Sequence, residues 1–99
     1  FLYDCLVVIA NWPQGRSEAM RTLAKARAIE NMAYVLIVNR TGTDGNHIAY
    51  NGESAIIDFK GNIIAQLPEG ENGVIEASLS YNDLEDFRQA FPNHLDWKE

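Results

Sequence analysis

Ninety-nine residues, 46% of them hydrophobic, can bury one modest core and no more. Fourteen acidic residues against eight basic ones give a net charge of −6, which argues against a sequence-independent nucleic-acid surface. No apolar run approaches the ~20 residues that span a bilayer, and a single cysteine without a positively flanked apolar leader points to a reducing, cytoplasmic setting.

The chain opens with Phe1-Leu2-Tyr3-Asp4 directly into an apolar run, which reads as a segment from inside a longer protein. Cys5 to Ala10 is continuously apolar and β-branched in its middle, the pattern of a strand covered on both faces. Asn11-Trp12-Pro13-Gln14-Gly15 ends it. Ser17 is the expected N-cap of a helix to about Met32, with Glu18 in the first turn and Met20, Leu23, Ala24, Ala28 and Met32 at helical spacing. Ala33 to Asn39 repeats the buried-strand pattern, so strand, helix and strand form a crossover unit in an α/β layered core.

Thr41 to Asn51, rich in Gly, Asp and Asn, reads as a loop. Ser54 to Phe59 and Asn62 to Gln66 are short strands joined tightly by Lys60-Gly61, and Gly73 to Ala77 reads as a further strand, so the second half is antiparallel. From Tyr81 to Phe91, Leu84, Phe87 and Phe91 recur at helical spacing behind a Ser80 cap, and Pro92 stops the helix.

Three stretches lie in register with a known family. Ala10-Asn11-Trp12-Pro13, Ala26-Arg27-Ala28-Ile29-Glu30-Asn31 and Gly52-Glu53-Ser54-Ala55-Ile56-Ile57-Asp58 ahead of Gly61 to Ala65 resemble, in that order, the nitrilase superfamily of carbon-nitrogen hydrolases. The loop from Asn39 to Asn46 is most similar to the bacterial omega-amidase branch, which acts on amides such as 2-oxoglutaramate. The resemblance runs over nearly the whole chain and makes residues 1–99 the C-terminal portion of one domain. It implies an α/β fold, part of a four-layer α-β-β-α sandwich. It also implies hydrolysis of a small-molecule amide by a Cys, Glu and Lys set through a thioester, with neither metal nor organic cofactor. Homodimers are implied as well, with the small-residue face of the first helix a candidate subunit contact.

None of that catalytic set is expected inside this chain. Cys5 starts an apolar strand with no exposed turn and without the family's nucleophile motif, so it reads as a structural thiol. Glu18, Glu30, Lys25 and Lys60 lie outside the family's Glu and Lys motifs. The chain alone is therefore expected to be inactive and to depend on an upstream portion.

Asn11, Trp12 and Pro13 follow the carboxyl end of a core strand, where α/β sheets place ligand contacts, and the resemblance makes them a wall of the substrate pocket. The other reading of these residues is a strand stop with Trp12 packed on the core. Arg27, Glu30 and Asn31, at i, i+3 and i+4, read as a structural hydrogen-bond set, and Ser54 as scaffold. His47 has a minor substrate-facing role at most, His94 is a surface residue, and Asp83, Glu85 and Asp86 form a solvated helix face without metal-ligand spacing. Two other functions stay open at this point: a carbamoyl-amide hydrolase of the same superfamily, or a non-catalytic fragment acting as an interaction module.

Overall fold

The computed structural model describes residues 3–91. Strand β1 (Cys5–Ile9) leads through a 3-10 turn (Gln14–Arg16) into helix α1 (Ser17–Asn31), and β2 (Tyr34–Val38) returns parallel to β1. β3 (Thr41–Thr43) and β4 (Ala49–Asn51) pair antiparallel as a separate two-stranded unit. β5 (Ala55–Ile57) and β6 (Ile63–Gln66) then complete a sheet of order β1-β2-β5-β6, and α2 (Tyr81–Ala90) closes the described fold. Parallel pairing at β1/β2 and antiparallel pairing at β2/β5 and β5/β6 give the mixed α/β architecture that the resemblance implies.

Side chains alternate across a strand, so each strand serves two different faces. On one face Met20, Ala24 and Ala28 of α1 bury against Val35, Ile37, Ala55 and Ile57, with Leu6, Val8 and Trp12 packed alongside. The small-residue stripe of α1 is thus the contact of the helix with its own sheet, with Ala28 fully buried, and is not available as a subunit contact. A helix this close to a sheet needs alanines at the contact, which is why the stripe exists.

On the other face, α2 brings Leu84 and Phe87 onto Tyr34, Phe59 and Cys5 at the start of β1 and β2. The Tyr34 and Phe59 rings meet edge-on with centroids 5.2 Å apart. Farther along this face Ile56 is still buried, but its outer part is bare: Val7 is 57% and Ile9 86% exposed, with Val38 and Ile64 half-exposed. β1 is therefore covered on one face only within the described residues, where its sequence predicts cover on both.

Other expectations shift for local reasons. Ser17 is the first helical residue and not the cap, because the 3-10 turn runs straight into α1 and makes Arg16 the N-cap, with no side-chain bond. The Ser17 hydroxyl is buried and finds no partner among the described residues. The polar stretch 41–51 is a β-hairpin, ordered by Asp44. Residues 73–77 carry a strand's composition but join no ladder among the described residues, since a strand exists only where a partner edge is free to take it. The hairpin at Lys60-Gly61 forms as its sequence predicts: Asp58 Oδ1 accepts from the Lys60 and Asn62 amides at 2.9 Å, and Gly61 takes φ +86°. A Cβ there would also press on the Ile29 side chain of α1, Cδ1 at 2.7 Å, so the left-handed turn and its seat on the helix both favour glycine. Ser80 caps α2 by accepting from the Asp83 amide at 3.1 Å. The expectations for Pro92 and His94 lie outside the described residues.

Arg88 ties these parts together from α2. Buried, it donates from Nε to the Met32 carbonyl (3.0 Å), from Nη1 to Asp4 Oδ1 (2.8 Å) and from Nη2 to the Tyr3 carbonyl (2.9 Å). One guanidinium fork thereby joins the end of α1 to the entrance of β1. Arg88→Met should lower stability by about 2–4 kcal/mol, and Arg88→Lys should recover little, because an ammonium cannot span three divergent acceptors. Urea unfolding midpoints of the three proteins check this; equal midpoints for Lys and Arg would refute the fork.

Candidate functional site

Three segments converge past the carboxyl ends of β1 and β2: the exit of β1 at 10–13, the exit of β2 at 39–40, and the turn 52–54 that enters β5. One residue joins them. The buried Asn39 accepts from the Trp12 amide at Oδ1 (2.9 Å) and donates from Nδ2 to the Trp12 carbonyl (3.2 Å) and the Gly52 carbonyl (3.1 Å). Its own amide donates to Ser54 Oγ at 2.9 Å, and that hydroxyl donates back to the Asn39 carbonyl at 3.3 Å. The carboxamide thus has its oxygen and its nitrogen both engaged inside the chain.

The turn held by Asn39 is conformationally demanding. Gly52 has φ +74° and Glu53 φ +55°, and a Cβ on Gly52 would lie 2.6 Å from Thr41 Cγ2, so glycine is required. The left-handed Glu53 turns its carboxylate to Arg21 of α1, Oε1 to Nη1 at 2.8 Å. Arg21 also grips Glu18 at 2.7 Å, and that hydrogen bond holds the Glu18 carboxyl below its usual range.

Beside this frame, Asn11, Trp12, Pro13 and Arg16 line an open cavity of about 270 Å³. Trp12 packs against the α1-side core, and the Arg16 guanidinium lies 5.7 Å from the indole centroid. Asn11 is exposed in the cavity rim, while the loop itself is anchored through Trp12 by Asn39.

A second cation stack stands on the neighbouring hairpin. The Arg40 guanidinium sits 4.5 Å from the Tyr50 centroid, and the Tyr50 hydroxyl donates to Asp44 Oδ2 at 2.9 Å. Asp44 Oδ1 accepts from the Asn46 amide at 2.8 Å and the Ile48 amide at 3.1 Å. The Ile48 amide first, then the Tyr50 hydroxyl, hold the Asp44 carboxyl below its ordinary value; the same bond pushes the Tyr50 hydroxyl up. His47 stands exposed at the hairpin tip with φ +63°.

The remaining candidates lie elsewhere. Arg27 Nη1 donates to Glu30 Oε1 at 2.7 Å and Asn31 Nδ2 to the Arg27 carbonyl at 2.9 Å, both on the solvent side of α1. With both charged side chains 56% exposed, that pair contributes about 0.3–0.5 kcal/mol. Cys5 is half-buried at the opposite end of β1 from the site, and burial pushes its thiol up, contrary to what a nucleophile needs. Among the described residues, no group of three or more His, Cys, Asp or Glu could hold a metal ion. No helix there is long and apolar enough to cross a membrane.

Sequence reading missed Asn39, Arg16 and the Arg21–Glu53 pair. Asn39 had a signal: a polar residue closes an otherwise apolar strand just where α/β sheets bind ligands.

Residues 6–89 match the family profile described as Carbon-nitrogen hydrolase. The omega-amidase YafV of Yersinia enterocolitica is 44% identical over 90 residues, which are 91% of this chain and 35% of that protein. The 2-oxoglutaramate amidase of Paenarthrobacter nicotinovorans is 40% identical over 86 residues, 87% of this chain and 29% of that one. Among solved structures, a CN-hydrolase superfamily protein from Xanthomonas campestris, which carries an arsenic adduct in its active site, superposes with a TM-score of 0.93 at 41% identity. That match covers 98% of this chain and 36% of the other. The chain thus spans about a third of the length of these relatives.

Asn39→Ala removes both main-chain anchors of Trp12 and should destabilise the fold by about 2–4 kcal/mol, since it strands buried main-chain groups. The matching local signal is loss of hydrogen-exchange protection at the Trp12 amide; retained protection would refute the anchoring role. Asp44 gives a pH signature. Its folded carboxyl titrates below the ordinary 3.8, so its support of the hairpin is complete above that value and is lost as pH falls through the lower folded value. An NMR acid titration should show the Ile48 amide and Tyr50 ring shifting together in that acidic window, and Asp44→Asn should abolish the step.

Proposed function

This chain belongs to the carbon-nitrogen hydrolase family, and from that premise we propose that the protein containing it hydrolyses the terminal amide of 2-oxo acid omega-amides, 2-oxoglutaramate above all. The observation that carries this reading is the similarity to omega-amidases and a 2-oxoglutaramate amidase across most of the chain. The chemistry is the family's. A thiolate adds to the amide carbon, an acidic carboxyl protonates the departing ammonia, and water activated by the same carboxylate cleaves the thioester to the acid. A lysine and a backbone amide stabilise the oxyanion.

In this proposal the Cys, Glu and Lys belong to an upstream portion of the protein, and residues 3–91 form the C-terminal part of the domain, supplying the pocket wall and its frame. The bare apolar sheet face at Val7, Ile9, Val38 and Ile64 supports that division, because such a face in water calls for a covering layer. The raised thiol of Cys5 supports placing the nucleophile elsewhere.

Ammonia release by the full-length protein tests the reading. Turnover of 2-oxoglutaramate, with little on carbamoyl-amino acids and none by the 99-residue chain alone, is the expected result. Preference for carbamoyl-amino acids would replace the substrate class, and activity of the isolated chain would overturn the division of labour.

A further inference from the structure

The acidic chain places its few cations in two distinct ways. Arg21, Arg27 and Arg88 are engaged in salt bridges, whereas among the described residues Arg16 and Arg40 are in none and lie instead over the rings of Trp12 and Tyr50, as Lys60 lies over Phe87. Both stacked arginines stand at the same end of the sheet, where Asn39 gathers the β1 and β2 exits. Arg40 has Asp44 near enough for their charges to act on each other. Arg16 has no carboxylate partner among the described residues, and it lines the cavity with Asn11, Trp12 and Pro13. Its backbone is fixed by the 3-10 turn, with the Arg16 amide donating to the Pro13 carbonyl at 2.9 Å.

We propose that Arg16, stacked on Trp12, is the specificity-determining residue that binds the carboxylate of the anionic amide substrate, at the end remote from the amide that is cleaved. This rests on the 2-oxo acid amide reading and deepens it. A cation over an indole face is held near it while its N–H donors stay available, and a carboxylate is the planar, two-oxygen acceptor that matches a guanidinium edge. The exposed Asn11 carboxamide on the same rim offers a donor for a neighbouring oxo group. This portion of the protein carries a net charge of −6 and by itself repels an anion, so a local cation with no carboxylate partner among the described residues favours capture at this rim. The consequence is discrimination: an amide with no carboxylate gains nothing from Arg16.

The test uses the full-length protein and compares Arg16→Gln, Arg16→Lys and Arg40→Gln on 2-oxoglutaramate and on the neutral pentanamide. Binding of 2-oxoglutarate is measured alongside by calorimetry. Arg16→Gln should raise KM for 2-oxoglutaramate roughly 10- to 100-fold, the loss of a charge-assisted bond, with a smaller change in kcat and none for pentanamide. Arg16→Lys should recover part of the loss, and 2-oxoglutarate should bind more weakly to Arg16→Gln by a similar factor. Parallel losses on both amides, no change on either, or a carboxylate-specific loss at Arg40→Gln instead would each overturn the assignment. If the wild type does not hydrolyse 2-oxoglutaramate, the functional reading fails by itself and calorimetry decides the inference. Arg16-dependent binding of 2-oxoglutarate then sustains it, and binding indifferent to Arg16 overturns it.

Discussion

The carboxamide of Asn39 is the constraint on which the candidate site depends. Lying buried past the end of β2, it must satisfy its acceptor and both donors internally or weaken the fold, and the partners it finds belong to two different segments, the β1 exit and the turn before β5. The Trp12 loop is fixed relative to β2, and the Gly52–Ser54 turn is fixed relative to both. The Arg21–Glu53 pair then fastens the same turn to α1, so helix and sheet hold the site from opposite sides. Nothing in this frame requires a ligand to be present.

The distribution of charge follows the same division between frame and surface. Arg88 and Arg21 spend their donors on specific acceptors inside the chain, one at the base of the sheet and one at its upper end. Arg16 and Arg40 are held by aromatic faces, which orient a guanidinium without neutralising it. The difference between a cation that staples and a cation that waits is thus visible in what it packs on.

Much of this was legible in the sequence, and the rest was hidden for definite reasons. α1, β2, the Asp58–Asn62 turn and the Ser80 cap are specified by residues within a few positions of one another, and local patterning predicts them. The strand assignment at 73–77 failed, and the second cover that the patterning of β1 predicts is not supplied by the described residues, because apolar patterning reports that a residue seeks burial and not which surface supplies it. The alanines of α1 were read as an external contact for the same reason. At 41–51, composition gave a turn, while the strands flanking it depend on Asp44 receiving two amides and a hydroxyl at once. The segment 11–13 stood out by its position after a strand. Its anchor lies 27 residues away, and the Arg21–Glu53 pair is separated by 32, so neither could be seen before the chain was folded.

Asn39 holds the pocket wall entirely by main-chain atoms: the amide and carbonyl of Trp12 and the carbonyl of Gly52. The side chains at 11, 12, 13 and 16 take no part in that grip. Trp12 is committed to the core by its ring and Pro13 to the 3-10 turn, but the side chains at 11 and 16 can be exchanged without loosening the backbone that carries them, which makes the frame a reusable mount. The chemistry displayed on this rim is thereby separable from the stability of the fold, and variation at those two positions would change what the rim presents on a scaffold that stays in place.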